Sequence, residues 1–316
     1  DSAVNLRPMR KLILVIVLGA LAFLNLAVFS LPNEPDSPGS FADVGDGRSL
    51  HFVRGGSGIE NPIVFVHGLP GTWADFKPIA RLLDGRNWIA FDRPGFGASA
   101  GGTQSLFDQA ESIRRALDSM GIDERNPVTM VGHSYGGSLS LALAESHPKL
   151  VKNMVLLAPG AGGKRSDWMD KANARMIQVT HLPVVEQIND LLLSNIILRT
   201  ATELQEPVAF SPHAVNAVHK RQTLEYTLKD SDLLAMKDNV VGGGGDFDRM
   251  DSGIKRVRQQ VVVLHGRSDK LIDFKYAQRL VADLPNGTLV ELRGGHMIPY
   301  THAREAATRI RAAARR

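Results

Sequence analysis

The chain has 316 residues, 43% hydrophobic and 22% charged, which is ordinary globular usage and excludes a disordered tail, a collagen-like repeat and a disulfide-stapled miniprotein. Cysteine is absent, so disulfides, thiolate metal sites and a cysteine nucleophile are excluded together. The formal net charge is only +4 and no run of basic residues interleaved with aromatics occurs, so nucleic acid is not an expected partner.

A basic flank (residues 1–11, with Arg7, Arg10 and Lys11) precedes Leu12 to Phe29, LILVIVLGALAFLNLAVF, 18 residues whose only polar side chain is Asn25. About 18 apolar residues are the shortest helical span of a bilayer, so residues 12–30 are expected to be a transmembrane anchor or signal segment. Glu34, Asp36, Asp43 and Asp46 follow it, and the positive-inside rule then puts the folded part on the non-cytoplasmic side. The expected localisation is membrane-anchored, with secretion after signal cleavage as the alternative. Leu31 to Ser40 (LPNEPDSPGS) holds three prolines and reads as a tether, giving a linker over residues 31–45.

Beyond the linker, apolar or β-branched runs predict strands at Ser49–Val53, Pro62–Val66, Trp88–Phe91, Val128–Val131, Val151–Leu157, Val261–Leu264 and Thr288–Leu292. Most are continuous rather than alternating, as strands buried on both faces require. Helix-length stretches separate them: Asp75–Leu83, Ser105–Met120, Gly137–His147, Phe274–Leu284 and Thr301–Arg316. Strand–helix alternation predicts an α/β domain, a mostly parallel sheet with helices on both faces. The arginines 304, 309, 311, 315 and 316 read as the wet face of the last helix. Residues 160–246 break the rhythm, with helical patterns only (Val184–Leu198, Pro212–Thr227) and a closing glycine run, Gly242–Gly245. They read as a helical cap inserted into a core of residues 46–159 and 247–316, with the glycines as a flexible joint.

Strand Val128–Val131 runs directly into Gly132-His133-Ser134-Tyr135-Gly136-Gly137, with a helix immediately after. Gly-x-Ser-x-Gly in that context predicts a strained turn that lifts the Ser134 hydroxyl out of the sheet. A second match, Gly97-Ala98-Ser99-Ala100-Gly101, lies in a loop with no helix adjoining and reads as loop glycine chemistry. A serine nucleophile needs a base and an orienting acid. Of ten histidines, His296 follows the last strand in the glycine loop Arg293-Gly294-Gly295-His296, where an imidazole can reach over the sheet edge. His67 and His265 end strands and look structural, and His133 cannot easily reach back to the serine hydroxyl. Asp269, on the loop after Val261–Leu264, is the candidate acid; Asp273 is its nearest competitor but reads as a helix cap. Oxyanion donors are expected from the Tyr135 N–H, at a helix N-terminus, and from the loop His67-Gly68-Leu69-Pro70-Gly71, with Leu69 N–H preferred and Gly68 as fallback.

The stretches HGLPG (67–71), FDRPGFGAS (91–99), GHSYGG (132–137), HGRSDK (265–270) and GGH (294–296) together resemble the capped α/β-hydrolases. That resemblance implies an eight-stranded sheet, a cap between the sixth and seventh strands, and the chain order Ser134, Asp269, His296 for a triad. Epoxide hydrolases and haloalkane dehalogenases look similar in the first two stretches but use an aspartate where this chain has Ser134. The expected reaction is therefore carboxylic ester hydrolysis through a seryl acyl-enzyme, on an apolar or lipid-like substrate, with no cofactor and no metal. C–C bond or thioester hydrolysis on the same serine, or a low-turnover ligand-binding protein, are the alternatives. Trp73, Phe96, Trp168 and Met169 are candidates for lining the substrate pocket.

Overall fold

The computed structural model describes residues 15–20, 22–23, 38–58, 61–101, 105–161, 204–223, 235, 239 and 244–315. Its centre is an eight-stranded sheet: β1 Ser40–Gly45, β2 Arg48–Gly55, β3 Ile63–Val66, β4 Trp88–Phe91, β5 Val128–His133, β6 Val151–Leu157, β7 Gln260–Gly266 and β8 Gly287–Leu292. The spatial order is β1-β2-β4-β3-β5-β6-β7-β8. The β1–β2 and β2–β4 pairs are antiparallel and the other five run parallel. Strands β3 and β5 are buried at every position, which explains why their sequences run apolar without alternating.

Strand β1 corrects the linker. Residues 40–45 are paired rather than tethering, joined to β2 through Asp46 (φ 56°) and Gly47 (φ 70°), two left-handed residues of a tight hairpin. Only Ala42 and Val44 turn inward on this edge strand. Two inward apolar side chains behind a proline-rich stretch make a weak strand signal.

Helices cover both faces. On one side lie α1 (Lys77–Ala80, extending a 3-10 turn at Trp73–Phe76), α7 (Ile298–Thr301) and α8 (Ala303–Arg315). On the other lie α2 (Leu106–Ser119), α3 (Tyr135–Ser146) and α6 (Phe274–Asp283). Helix α2 buries Leu106, Gln109, Ala110, Ile113, Ala116 and Leu117, an i, i+3, i+4 stripe, and Ser105 caps it through Asp108 N–H. Helix α3 is buried from Tyr135 through Ala144, and its run of Gly, Ser and Ala lets it sit tightly on the sheet. Helix α8 buries Ala306, Ala307, Ile310 and Ala313 and leaves its arginines outward.

The connection from β6 to β7 spans residues 158–259, the position expected for the insertion. The helical pattern Val184–Leu198 and the candidates Trp168 and Met169 lie outside the described residues. Within them the connection holds a helix over 204–210, α4 (Ala217–Gln222) and α5 (Gly244–Gly253). Gly244 and Gly245 begin α5 instead of forming a joint.

The expected localisation is corrected. Of residues 12–30, those described are 15–20 and 22–23, which are helical. Among the described residues no helix is long and apolar enough to cross a membrane. A membrane-anchored protein, and membrane as a partner, are therefore not carried into the functional reading.

Candidate active site

Ser134 stands between β5 and α3 with φ 53° and ψ −120°, a conformation a non-glycine residue holds at a cost of about 1–3 kcal/mol. The backbone is pinned on both sides: Ser134 N–H donates to Leu157 O at 2.9 Å, and Ser134 O accepts from Gly137 N (2.9 Å) and Gly160 N (3.1 Å). The glycines around it are steric necessities. A Cβ on Gly132 would overlap the Gly136 carbonyl, and one on Gly136 would overlap the carbonyl oxygen of Val66. This is the strand–turn–helix elbow expected from the motif.

His296 and Asp269 meet. The His296 Nδ1–H donates to Asp269 Oδ2 at 2.8 Å, leaving Nε2 as the basic nitrogen, and both side chains are almost fully buried. Asp269 Oδ1 accepts Leu271 N–H (2.8 Å) and Ile272 N–H (2.9 Å). Burial pushes the Asp269 carboxyl up, but the His296 charge and the hydrogen bonds from His265 and His296 outweigh it and hold the group well below the usual carboxylate range. Asp273 caps α6 by accepting Lys275 N–H at 2.9 Å, so the competing acid has a structural task. The loop carrying His296 needs both of its glycines: a Cβ on Gly294 would overlap His302, and one on Gly295 would overlap Ser211 O.

His133, beside Ser134, donates from Nε2 to His296 O at 3.1 Å and sets its ring 5.0 Å from that of His296. Its pKa falls to about 3, through burial first and then the neighbouring His296, so it is neutral. Ser134 and the His296 loop thereby meet at one carboxyl edge of the sheet through an intervening residue. The His67–Gly71 loop arrives there too: a Cβ built on Gly68 would stand 3.0 Å from Ser134 Cβ and 3.2 Å from His133 Nδ1. Leu69 packs its side chain on the core, and Tyr135 is the first residue of α3.

Behind that loop lies a polar cluster the sequence reading missed. Arg93 is fully buried, and its Nη2 donates to Gly68 O at 2.9 Å. Nη1 donates to Gln109 Oε1 (2.7 Å) and Asn239 Oδ1 (3.0 Å), and the guanidinium lies 4.3 Å and 4.4 Å over the rings of Phe96 and Tyr135. His67 Nε2 accepts Arg93 N–H (2.9 Å), so its Nδ1 carries the proton and donates to Gly68 O at 3.0 Å. Burial, then the Arg93 charge, hold the His67 pKa well below its ordinary value. The DRPG motif was the available signal for Arg93.

Phe96 is thus wholly buried beneath this cluster, and Trp73 is part of the core, facing a groove shared with Trp88 at the start of β4 rather than with Ser134. The second Gly-x-Ser-x-Gly serine has a different setting. Ser99 Oγ donates to Asp92 O (2.7 Å) and accepts His51 N–H (2.9 Å), while His51 Nδ1 bonds Asp92 Oδ2 at 2.8 Å. A serine, a histidine and an aspartate are together, but the hydroxyl is spent on main-chain groups. Among the described residues no group of three or more His, Asp or Glu is placed to hold a metal ion.

A sequence model of the family described as the alpha/beta hydrolase fold matches residues 61–303, most of the chain. The chain belongs to the α/β-hydrolase family. This α/β-hydrolase is 28% identical over 277 residues to the 2-hydroxy-6-oxononadienedioate/2-hydroxy-6-oxononatrienedioate hydrolase of Burkholderia vietnamiensis, covering 82% of the one and 89% of the other. It is 24% identical over 263 residues to the uncharacterized hydrolase YugF of Bacillus subtilis, covering 80% of this chain and 90% of that one. An esterase from Exiguobacterium antarcticum superposes with a TM-score of 0.70 at 16% identity, covering 88% of this chain and 100% of its own, a likeness of fold.

Proposed function

We propose that this hydrolase cleaves a carboxylic ester, of apolar or lipid-like character, through a seryl acyl-enzyme. His296 Nε2 takes the Ser134 proton as Oγ attacks the carbonyl carbon. Asp269 holds the imidazole in that tautomer and stabilises the imidazolium. The N–H groups of Leu69 and Tyr135 receive the oxyanion, helped by the positive end of α3. The alcohol leaves with the proton from His296, and water activated by the same nitrogen then releases the acid.

One observation carries this reading: the buried Asp269–His296 pair ends at the same sheet edge as the strained Ser134, with His133 between them. A panel of p-nitrophenyl esters of increasing chain length, run beside Ser134→Ala, tests it. Loss of a triad nucleophile lowers kcat by several orders of magnitude. Near-normal turnover by Ser134→Ala would overturn the assignment.

A second reading is C–C bond hydrolysis of a vinylogous oxo-acid by the same three residues. It is favoured by the relatives named as 2-hydroxy-6-oxononadienedioate hydrolases. Higher kcat/KM on such a dienedioate than on every ester of the panel would select it.

A further inference from the structure

A trans peptide points its C=O and N–H in opposite directions, so whatever fixes the carbonyl fixes the amide hydrogen. The Gly68–Leu69 peptide is trans, and Gly68 O receives two donors from fully buried side chains, Arg93 Nη2 at 2.9 Å and His67 Nδ1 at 3.0 Å. Leu69 N–H therefore faces away from them, while a Cβ on Gly68 would stand only 3.0 Å from Ser134 Cβ. Arg93 is itself immobilised. Gln109 from α2 and Asn239 from the β6–β7 connection hold Nη1, and two aromatic faces sandwich the guanidinium. Desolvating a guanidinium costs several kcal/mol, an expense that packing alone does not require.

We propose that Arg93 is the positioning residue of the oxyanion site: it locks the Gly68–Leu69 peptide with its N–H toward the reacting carbonyl, and its buried charge polarises that peptide so the N–H becomes a stronger donor. This rests on the serine-hydrolase reading above. The charge acts through the peptide, and the guanidinium itself touches no substrate. Because a peptide dipole already aligned needs no reorganisation when charge develops, the effect falls on the transition state and not on substrate binding.

The test uses the full chain. Arg93→Met is compared with wild type for kcat per active site, counted by stoichiometric labelling with a fluorophosphonate, for KM on a p-nitrophenyl ester, and for the inhibition constant of a trifluoromethyl ketone, which forms a tetrahedral oxyanion adduct. Removing one oxyanion donor typically costs about 100- to 1000-fold in kcat, so disordering one is expected to cost about 10- to 100-fold. KM should stay within about threefold, and ketone affinity should fall in step with kcat. A merely structural role would reduce the number of labelled sites and leave kcat per site unchanged; that result overturns the proposal. Should Arg93→Met not fold, the double variant Gln109→Leu/Asn239→Leu removes both of these partners of Nη1 while keeping the guanidinium, and unaltered kcat per site and ketone affinity there overturn it equally. If wild type is not labelled, or Ser134→Ala still turns over, the underlying reading fails and the proposal falls with it, an outcome distinct from labelled enzyme indifferent to Arg93.

Discussion

His265 Nε2 lies 3.3 Å from the Asp269 Oδ2 that also receives the His296 Nδ1–H, so one carboxylate oxygen is shared between two buried imidazoles. The same His265 nitrogen donates to Ile272 O at 2.8 Å, and Ile272 N–H returns a bond to Asp269 Oδ1. The Asp269 loop is thus closed on itself independently of His296, which holds the carboxylate in a fixed orientation.

Asp269→Asn should keep this loop's shape but present an amide to His296, favouring the wrong tautomer. An equivalent change in a serine triad costs about 10⁴-fold in kcat. The expected outcome is a folded protein with kcat on a p-nitrophenyl ester lowered by about that factor and KM little changed. Activity within tenfold of wild type would remove Asp269 from the mechanism.

Asp75 offers a pH test. It is buried beside Tyr300, whose hydroxyl sits 3.3 Å from Oδ1 and 2.6 Å from Gln222 Oε1, and burial pushes its pKa up to about 7. A raised carboxyl pKa means the folded state keeps a proton that the unfolded state loses above about pH 4. Stability from this group is therefore full below about pH 4 and is lost as pH rises to about 7. Three units correspond to at most about 4 kcal/mol. Asp75→Asn, which is permanently neutral, should raise the thermal midpoint relative to wild type at pH 8 and leave it nearly unchanged at pH 4.5. Equal shifts at both values would refute the assignment.

Ser99→Ala serves as the control for Ser134. It removes the two main-chain bonds of Ser99 Oγ in a buried site, for which a loss of about 1–3 kcal/mol is expected in denaturant unfolding. Fluorophosphonate labelling and kcat per labelled site should stay at wild-type values. Loss of labelling would mean the wrong Gly-x-Ser-x-Gly had been assigned.

Gly136→Ala should fold poorly or not at all. The added methyl meets the main-chain oxygens of Val66 and His67, which cannot move without breaking the parallel β3–β5 pairing. Overpacking of this kind costs about 1–3 kcal/mol or more. Gly47→Ala meets no atom within 4 Å and pays only for its left-handed φ of 70°. Thermal denaturation should rank Gly136→Ala well below Gly47→Ala.

What could be read from the chain alone were the features set by neighbours in sequence. Strands β3 to β7 announce themselves because a strand largely covered on both faces must be apolar nearly throughout, and Gly132-x-Ser134-x-Gly136 because the turn tolerates no side chain on either flank. The hairpin residues Asp46-Gly47 were an equally local signal, but β1 behind them has too few apolar residues to read as a strand. Folding decided what depends on residues distant in the chain. It gave His67, His133 and His265, alike in sequence as strand-end histidines, three different tasks, and it buried Arg93 behind a glycine loop 25 residues earlier. A cation's burial and a tautomer are settled by which partners arrive in space, and hydrogen bonds with no fixed sequence separation leave no periodicity to read.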